Sequence, residues 1–173
     1  MSYPKIVLSQ HDSDYGASVG CIRRGEAFIK GRDQDRPRVG YRQLLAEDIL
    51  GARCELAAKR WLDPIPWNEL LKDVNSSTPD LGDDIDVKGR SKIWYDLLVQ
   101  KKAPDHFAYL LVFPNPHPTY CIRGWLWGHE AKVPEYWGDK AHNDRPAFFV
   151  PQGVLRHPDE LFALVRQREV ELA

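Results

Sequence analysis

The sequence predicts an α/β domain with a central mixed β-sheet flanked by helices. Three observations predict it. An amphipathic helical pattern runs from Tyr41 to about Leu62. The run Phe107–Phe113 (FAYLLVF) is nearly all apolar, as a strand covered on both faces must be. A second helical pattern closes the chain over Pro158–Glu171. A helix, then strands, then a helix argues for one sheet with helical cover. At 173 residues the chain forms a single domain with its own core.

Taken in order, Lys5–Leu8 and Ala27–Ile29 are short strand candidates. From Arg23 to Arg42 the chain carries seven basic residues among Gly and Pro, which predicts a basic segment that is largely loop. Residues 1–40 therefore read as a basic N-terminal extension, 41–155 as the core and 156–173 as the C-terminal helix. Leu45, Ile49, Ala52 and Leu56 recur at helical spacing and form the apolar stripe of the first helix. Asp63-Pro64 ends that helix, because a residue before proline is pushed out of the helical region. Asn75–Pro79 is a loop, and Ile85–Lys88 is a short alternating strand. Residues 91–101 suit either a helix or a strand, and the strand is preferred. Pro114–Pro118 (PNPHP) is a connector and Tyr120–Trp127 the next strand. Trp125 and Trp127 share a face of that strand, where packing in the core is favoured over base stacking. In the last helix Pro158 takes the first position, and Asp159 and Glu160 complement the helix dipole.

Composition narrows the function classes. The net charge is −1, so no global field draws the chain to nucleic acid or membrane, and any DNA contact needs a local patch. Cys21, Cys54 and Cys121 are odd in number and widely spaced, which predicts free thiols and a cytoplasmic protein. The N-terminus lacks the pattern of a signal peptide, and the longest apolar runs are too short to span a bilayer. The histidines are scattered, and His129-Glu130 does not continue into HExxH, so zinc is disfavoured. No GxGxxG, P-loop or nucleophile elbow is present. No feature sets the oligomeric state, and a homodimer is compatible with the chain.

The segment PDLGDDIDVKGR (79–90) carries the chemistry. On a strand, Asp84, Asp86 and Lys88 point to one side. Gly82 and Asp83 supply turn chemistry, and a tight turn there sets Asp80 across from Asp86. Carboxylates this close repel unless a positive charge sits between them, and a divalent cation supplies that better than Lys88 alone. Hard oxygen donors favour Mg²⁺ or Mn²⁺. Such an ion retains waters, one of which can act as a nucleophile that a nearby lysine orients. Those parts suit phosphodiester hydrolysis. On the first helix, Glu55 lies roughly 90° from the centre of the apolar stripe, at the border of the buried face.

These residues resemble a known family. GARCELAAKRWL (51–62) is similar to the acid-bearing helix of PD-(D/E)XK nucleases, and PD followed by DVK resembles that family's paired acids and lysine. TYCIRGWLWGHEAK (119–132) and FFVPQGVL (148–155) resemble uncharacterised phage and prophage members. The resemblance covers roughly residues 45–155 and implies a restriction endonuclease-like fold. It implies metal ligation by Asp80, Asp86 and the Val87 carbonyl, Lys88 as the catalytic lysine, and Glu55 as a ligand or as the residue orienting a metal-bound water. The interval between Asp80 and Asp86 is short, so Asp84 is the other candidate for the first acid. The helix that follows the third core strand of the family is not evident.

The expected activity is Mg²⁺- or Mn²⁺-dependent cleavage of DNA, with Arg23, Arg24, Arg36, Arg38, Arg42 and Arg90 as candidate phosphate contacts. The alternative is a catalytically silent member of the same fold that binds nucleic acid or serves in an assembly. A small-molecule enzyme with an acidic metal site is a third reading. The bland reading of Asp80–Lys88 is a solvated acidic turn, and that of Glu55 is a surface pair with Lys59.

Overall fold

The computed structural model describes residues 2–31, 39–63, 65–68, 78–140 and 145–172. Two N-terminal helices pack on a mixed four-stranded sheet, and a small antiparallel sheet covers the other side. The single sheet expected from the sequence is thus two.

Strand β1 (Lys5–Val7) leads into helix α1 (Gln10–Ile29). Ser9 caps α1, its side-chain oxygen accepting from the Asp12 N–H at 3.0 Å. Ala27–Ile29, expected as a strand, is the last turn of this helix. The buried side of α1 holds Asp12, Ser13, Gly16, Val19, Gly20, Arg24 and Ala27. That spacing is helical, but the residues are small or polar, so a search for apolar periodicity passes over it. Ile22, Phe28 and Ile29 meanwhile face solvent. The segment read as an extension contributes a strand to the sheet and a helix to the helical layer.

The glycines of α1 are packing positions. A Cβ at Gly20 would lie 2.5 Å from Ile49 Cα, so α1 and α2 (Tyr41–Leu62) meet there backbone to backbone. Gly20→Ala is expected to force the helices apart and cost about 1–3 kcal/mol. Gly25 has nothing within 4 Å of its would-be Cβ, so Gly25→Ala is expected to leave stability unchanged or raise it. Thermal melts of the two variants check the contrast.

Asp12 anchors the same helix pair. Its carboxylate accepts from Arg60 Nη2 at 2.6 Å, and that bond holds its pKa below 3.8 against the opposing effect of burial. A folded pKa below the unfolded one gives stability that is present above about pH 4 and lost as pH falls through the folded value. Asp12→Asn is therefore expected to be destabilised at neutral pH. Its deficit against the native chain should shrink in denaturant melts taken below pH 3.8.

Helix α2 has the predicted bounds and ends at Asp63. Its buried side differs from the predicted stripe: Ala52 and Leu56 are buried but Leu45 and Ile49 only half-buried, and Leu44, Cys54, Ala57, Ala58 and Leu62 are buried as well, because the helix packs on α1 and the sheet at once. Pro64 and most of the predicted loop at Asn75–Pro79 lie outside the described residues.

The main sheet has the order β1-β5-β4-β2. Strand β2 (Ile85–Gly89) is an edge strand, parallel to β4 (Ala108–Pro114), and β4 pairs antiparallel with β5 (Thr119–Trp127). Every β4 residue from Ala108 to Phe113 is buried, as its apolar run predicts. Ala108, Leu110 and Val112 join Ile85 and Val87 of β2 in a core beneath α2 and helix α4 (Pro158–Leu172). Trp125 is buried in that core and Trp127 packs against it. Tyr109, Leu111 and Phe113 face the second sheet, formed by β3 (Leu97–Val99), β7 (Ala147–Val150) and β6 (Trp137–Gly138). Of the ambiguous residues 91–101, only Leu97–Val99 form a strand, and it belongs to this small sheet. The crossover joining parallel β2 and β4 therefore carries a strand where such units usually carry a helix. A short helix, α3 (Gly128–Ala131), follows β5. Among the described residues, no helix is long and apolar enough to cross a membrane.

Candidate functional site

The site residues gather at the open edge of β2. Leu81 bridges to Trp67 on one side and to Ile85 on the other, so residues 80–85 fold into a tight hairpin. Gly82 sits at its tip with φ +54°, a conformation open to glycine and strained for other residues. Asn68 fastens the hairpin, its side-chain amide donating to the Pro79 and Gly82 carbonyls at 3.2 and 3.1 Å.

This hairpin turns the buried Asp80 back onto the strand, where its Oδ2 accepts from the Val87 N–H at 2.6 Å. Backbone direction alternates along β2. The Asp84 carbonyl and the Arg90 N–H bond to β4, whereas both backbone groups of Ile85 bond to Leu81. Val87 shares the outward phase of Ile85, so its carbonyl lies on the same open edge as the Asp80 carboxylate. The turn thus brings Asp80 back to the strand, where it meets the Val87 backbone.

Asp84 goes elsewhere. It lies in the turn before β2, and its carboxylate accepts from Arg168 of α4 at 2.7 Å. Of the two candidates for the first acid, the geometry favours Asp80.

Asp86 and Lys88 form an ion pair with each other. Their strand partners are Tyr109 and Leu111, so they project from the sheet face opposite α2, with Lys88 Nζ 5.5 Å from the centre of the Tyr109 ring. Burial, and then the Asp86, Asp105 and Asp80 carboxylates, push the Tyr109 hydroxyl well above its ordinary value. It donates to the Pro104 carbonyl at 2.9 Å. Asp80 thus lies at the outer edge of β2, and Asp86 on its face opposite α2, one residue from the Val87 that Asp80 contacts.

Glu55 is buried on the α2 side and is held by other groups. Arg23 of α1 donates to both of its oxygens, at 2.7 and 2.8 Å, and the Trp67 indole N–H donates to Oε2 at 2.9 Å. Burial opposes the charge on Arg23. The bond to Glu55 and the nearby Asp80 and Asp48 carboxylates outweigh it and hold the guanidinium above its ordinary value. The surface pairing of Glu55 with Lys59 does not form, since Lys59 pairs with Asp63.

The predicted phosphate contacts are scattered. Arg23 is turned inward onto Glu55, and the buried Arg24 pairs with Asp48 at 3.4 Å. Helical packing of α1 takes both away from a solvent-facing role. Arg42 is exposed on α2, and Arg90 is half-buried with its guanidinium 4.8 Å from the centre of the Tyr95 ring. Arg36 and Arg38 lie outside the described residues.

The donor set suits a hard divalent cation in kind. Asp80, Asp86 and the Val87 carbonyl are borne on one strand edge and the turn before it, and three such oxygens are few enough for Mg²⁺ or Mn²⁺ to keep its waters. Glu55 does not join them as placed. Among the described residues, no three acids, histidines or cysteines gather closely enough to form a metal cluster on their own. Sequence reasoning missed Arg23 and Trp67 as partners of Glu55. They lie 32 and 12 residues from it, and no local pattern joins them.

No protein-family model matches the chain, and neither a curated protein nor a solved structure is found to be similar to it.

Proposed function

We propose that the chain is a nuclease-like protein of restriction endonuclease-like architecture that hydrolyses DNA phosphodiesters with Mg²⁺ or Mn²⁺. The observation that carries this reading is the Asp80 bond to the Val87 N–H, which sets an acid from a turn against the Asp86-Val87-Lys88 strand at an open sheet edge. In it, Asp80, Asp86 and the Val87 carbonyl would hold the cation, which would supply Lewis acidity and an activated water. Lys88, oriented by Asp86, donates to a phosphate oxygen as negative charge develops there. Glu55, kept in place by Arg23 and Trp67, fixes the electrostatics behind Asp80. The three free cysteines suit a reducing cytoplasm.

A second reading is favoured by one observation. Arg23 already sets a positive charge between Glu55 and Asp80, as a silent member of the fold would need in order to keep these acids buried without a cation. Such a protein would bind nucleic acid or serve in an assembly. Incubation with supercoiled plasmid and end-labelled oligonucleotides in Mg²⁺, Mn²⁺ or EDTA separates the two. Metal-dependent cleavage supports the nuclease. DNA binding with no cleavage, and no Mn²⁺ uptake by calorimetry, supports the silent protein.

A further inference from the structure

An aromatic and cationic strip lies on the same sheet face as Lys88. Phe113 is two residues beyond Leu111, the strand partner of Lys88, and it pairs with Cys121, which pairs with Lys5. These side chains cross the sheet in one row and line an open groove of about 340 Å³ together with Ile93, Arg123 and Gln152. The segment that leaves β2 passes along this groove and exposes Ile93 (61%) and Trp94 (69%).

Ile93, Trp94 and Tyr95 are exposed consecutively, a clustering of apolar surface of the kind that marks interaction sites, and this segment is held firmly in place. The Gln152 side chain donates to the Ile93 and Tyr95 carbonyls, both at 2.8 Å, and accepts from Arg123 Nε at 2.7 Å. Cations are interleaved with the rings. Lys92 Nζ lies 5.8 Å from the Trp94 ring centre, Arg90 4.8 Å from that of Tyr95, and Arg123 4.0 Å from that of Tyr3. A protein-binding surface would be depleted in lysine at its centre. A groove with cations on its wall, beside a segment with a projecting indole, matches an unpaired nucleic-acid strand, whose phosphates follow the cations while a base stacks on the ring.

We infer that this groove and the exposed segment beside it bind single-stranded DNA, with Trp94 of that segment as a stacking platform and Lys5 and Arg123 of the groove, together with the neighbouring Lys92, meeting the phosphates. The inference rests on the proposed function for the purpose of the bound strand. Binding itself is read in EDTA, where cleavage plays no part.

The test is fluorescence anisotropy of a labelled oligo-dT and of a duplex of equal length, in EDTA, across a salt series. The expected result is preference for the single strand. Trp94→Ala should weaken that binding about tenfold, and Lys92→Gln should reduce the slope of log affinity against log salt by roughly 0.7. Both side chains are exposed, so both variants should keep the native melting curve. Equal affinity of Trp94→Ala and the native chain for oligo-dT, or equal affinity of the native chain for duplex and single strand, overturns the inference. Single-strand binding lost in Trp94→Ala, with no Mg²⁺-dependent cleavage by the native chain, upholds the groove and removes the nuclease. Cleavage with no effect of Trp94→Ala does the reverse.

Discussion

Asp86→Asn is expected to lower Mg²⁺-dependent DNA cleavage at least about 100-fold, with the fold intact. The substitution preserves shape and removes one charge. Asp86 is buried and paired with Lys88, so its charge has two roles in the proposed site: it holds the cation, and it orients the ammonium. Lys88 is partly exposed and can be hydrated once its partner is gone, so stability should fall little. Lys88→Ala is expected to act on the same step, with a loss of about 10²–10³. Asp80→Asn supplies the control for geometry. Its amide oxygen can still accept from the Val87 N–H, so the hairpin should stand while the negative charge is lost. Single-turnover cleavage at saturating Mg²⁺, with circular dichroism of each variant, reads these effects. Cleavage unchanged by Asp86→Asn and Lys88→Ala would remove both residues from the chemistry.

The second large effect concerns stability. Arg23→Ala is expected to destabilise the chain by about 3–5 kcal/mol, because it strands a buried carboxylate. Glu55 would retain the Trp67 N–H and lose both charge-assisted bonds. For a chain of this size such a loss lowers the melting temperature by roughly 6–20 °C. The double variant Arg23→Leu with Glu55→Leu should recover most of it, since apolar residues of similar size often replace a buried ion pair without loss. A double variant as unstable as Arg23→Ala would mean that the pair is bound into a wider network through Asp80 and Asp48, the other carboxylates beside Arg23. Calorimetric melts of the three variants decide between these outcomes.

The parts of the fold that were legible in the sequence are those whose burial is apolar and periodic. Helix α2 announced both its ends, and β4 its central place, because their side chains repeat at helical spacing or run apolar throughout. Helix α1 was hidden for the converse reason. It buries glycines, serine and charged residues against α2, and these are the residue types that otherwise mark loops. The second sheet was hidden because its strands are two to four residues long, too short to show alternation, and β3 lies more than forty residues from its partner β7.

The site divides in the same way. Sequence alone determined which residue types stand together: a turn glycine after Asp80, and the alternation that places Asp86 and Lys88 on one side of a strand. These follow from local backbone geometry, which a few neighbouring residues set. Only the tertiary structure decided which acid meets that strand, what holds Glu55, and where the arginines point. Asp80 reaches Val87 through the hairpin, Asp84 is drawn to Arg168 from the far end of the chain, and Arg23 turns inward because α1 docks on α2 through its glycines. The last two are partnerships between charges that are distant in sequence, and the first needs the hairpin to close. Burial makes such partnerships strong, and nothing in the local sequence specifies them.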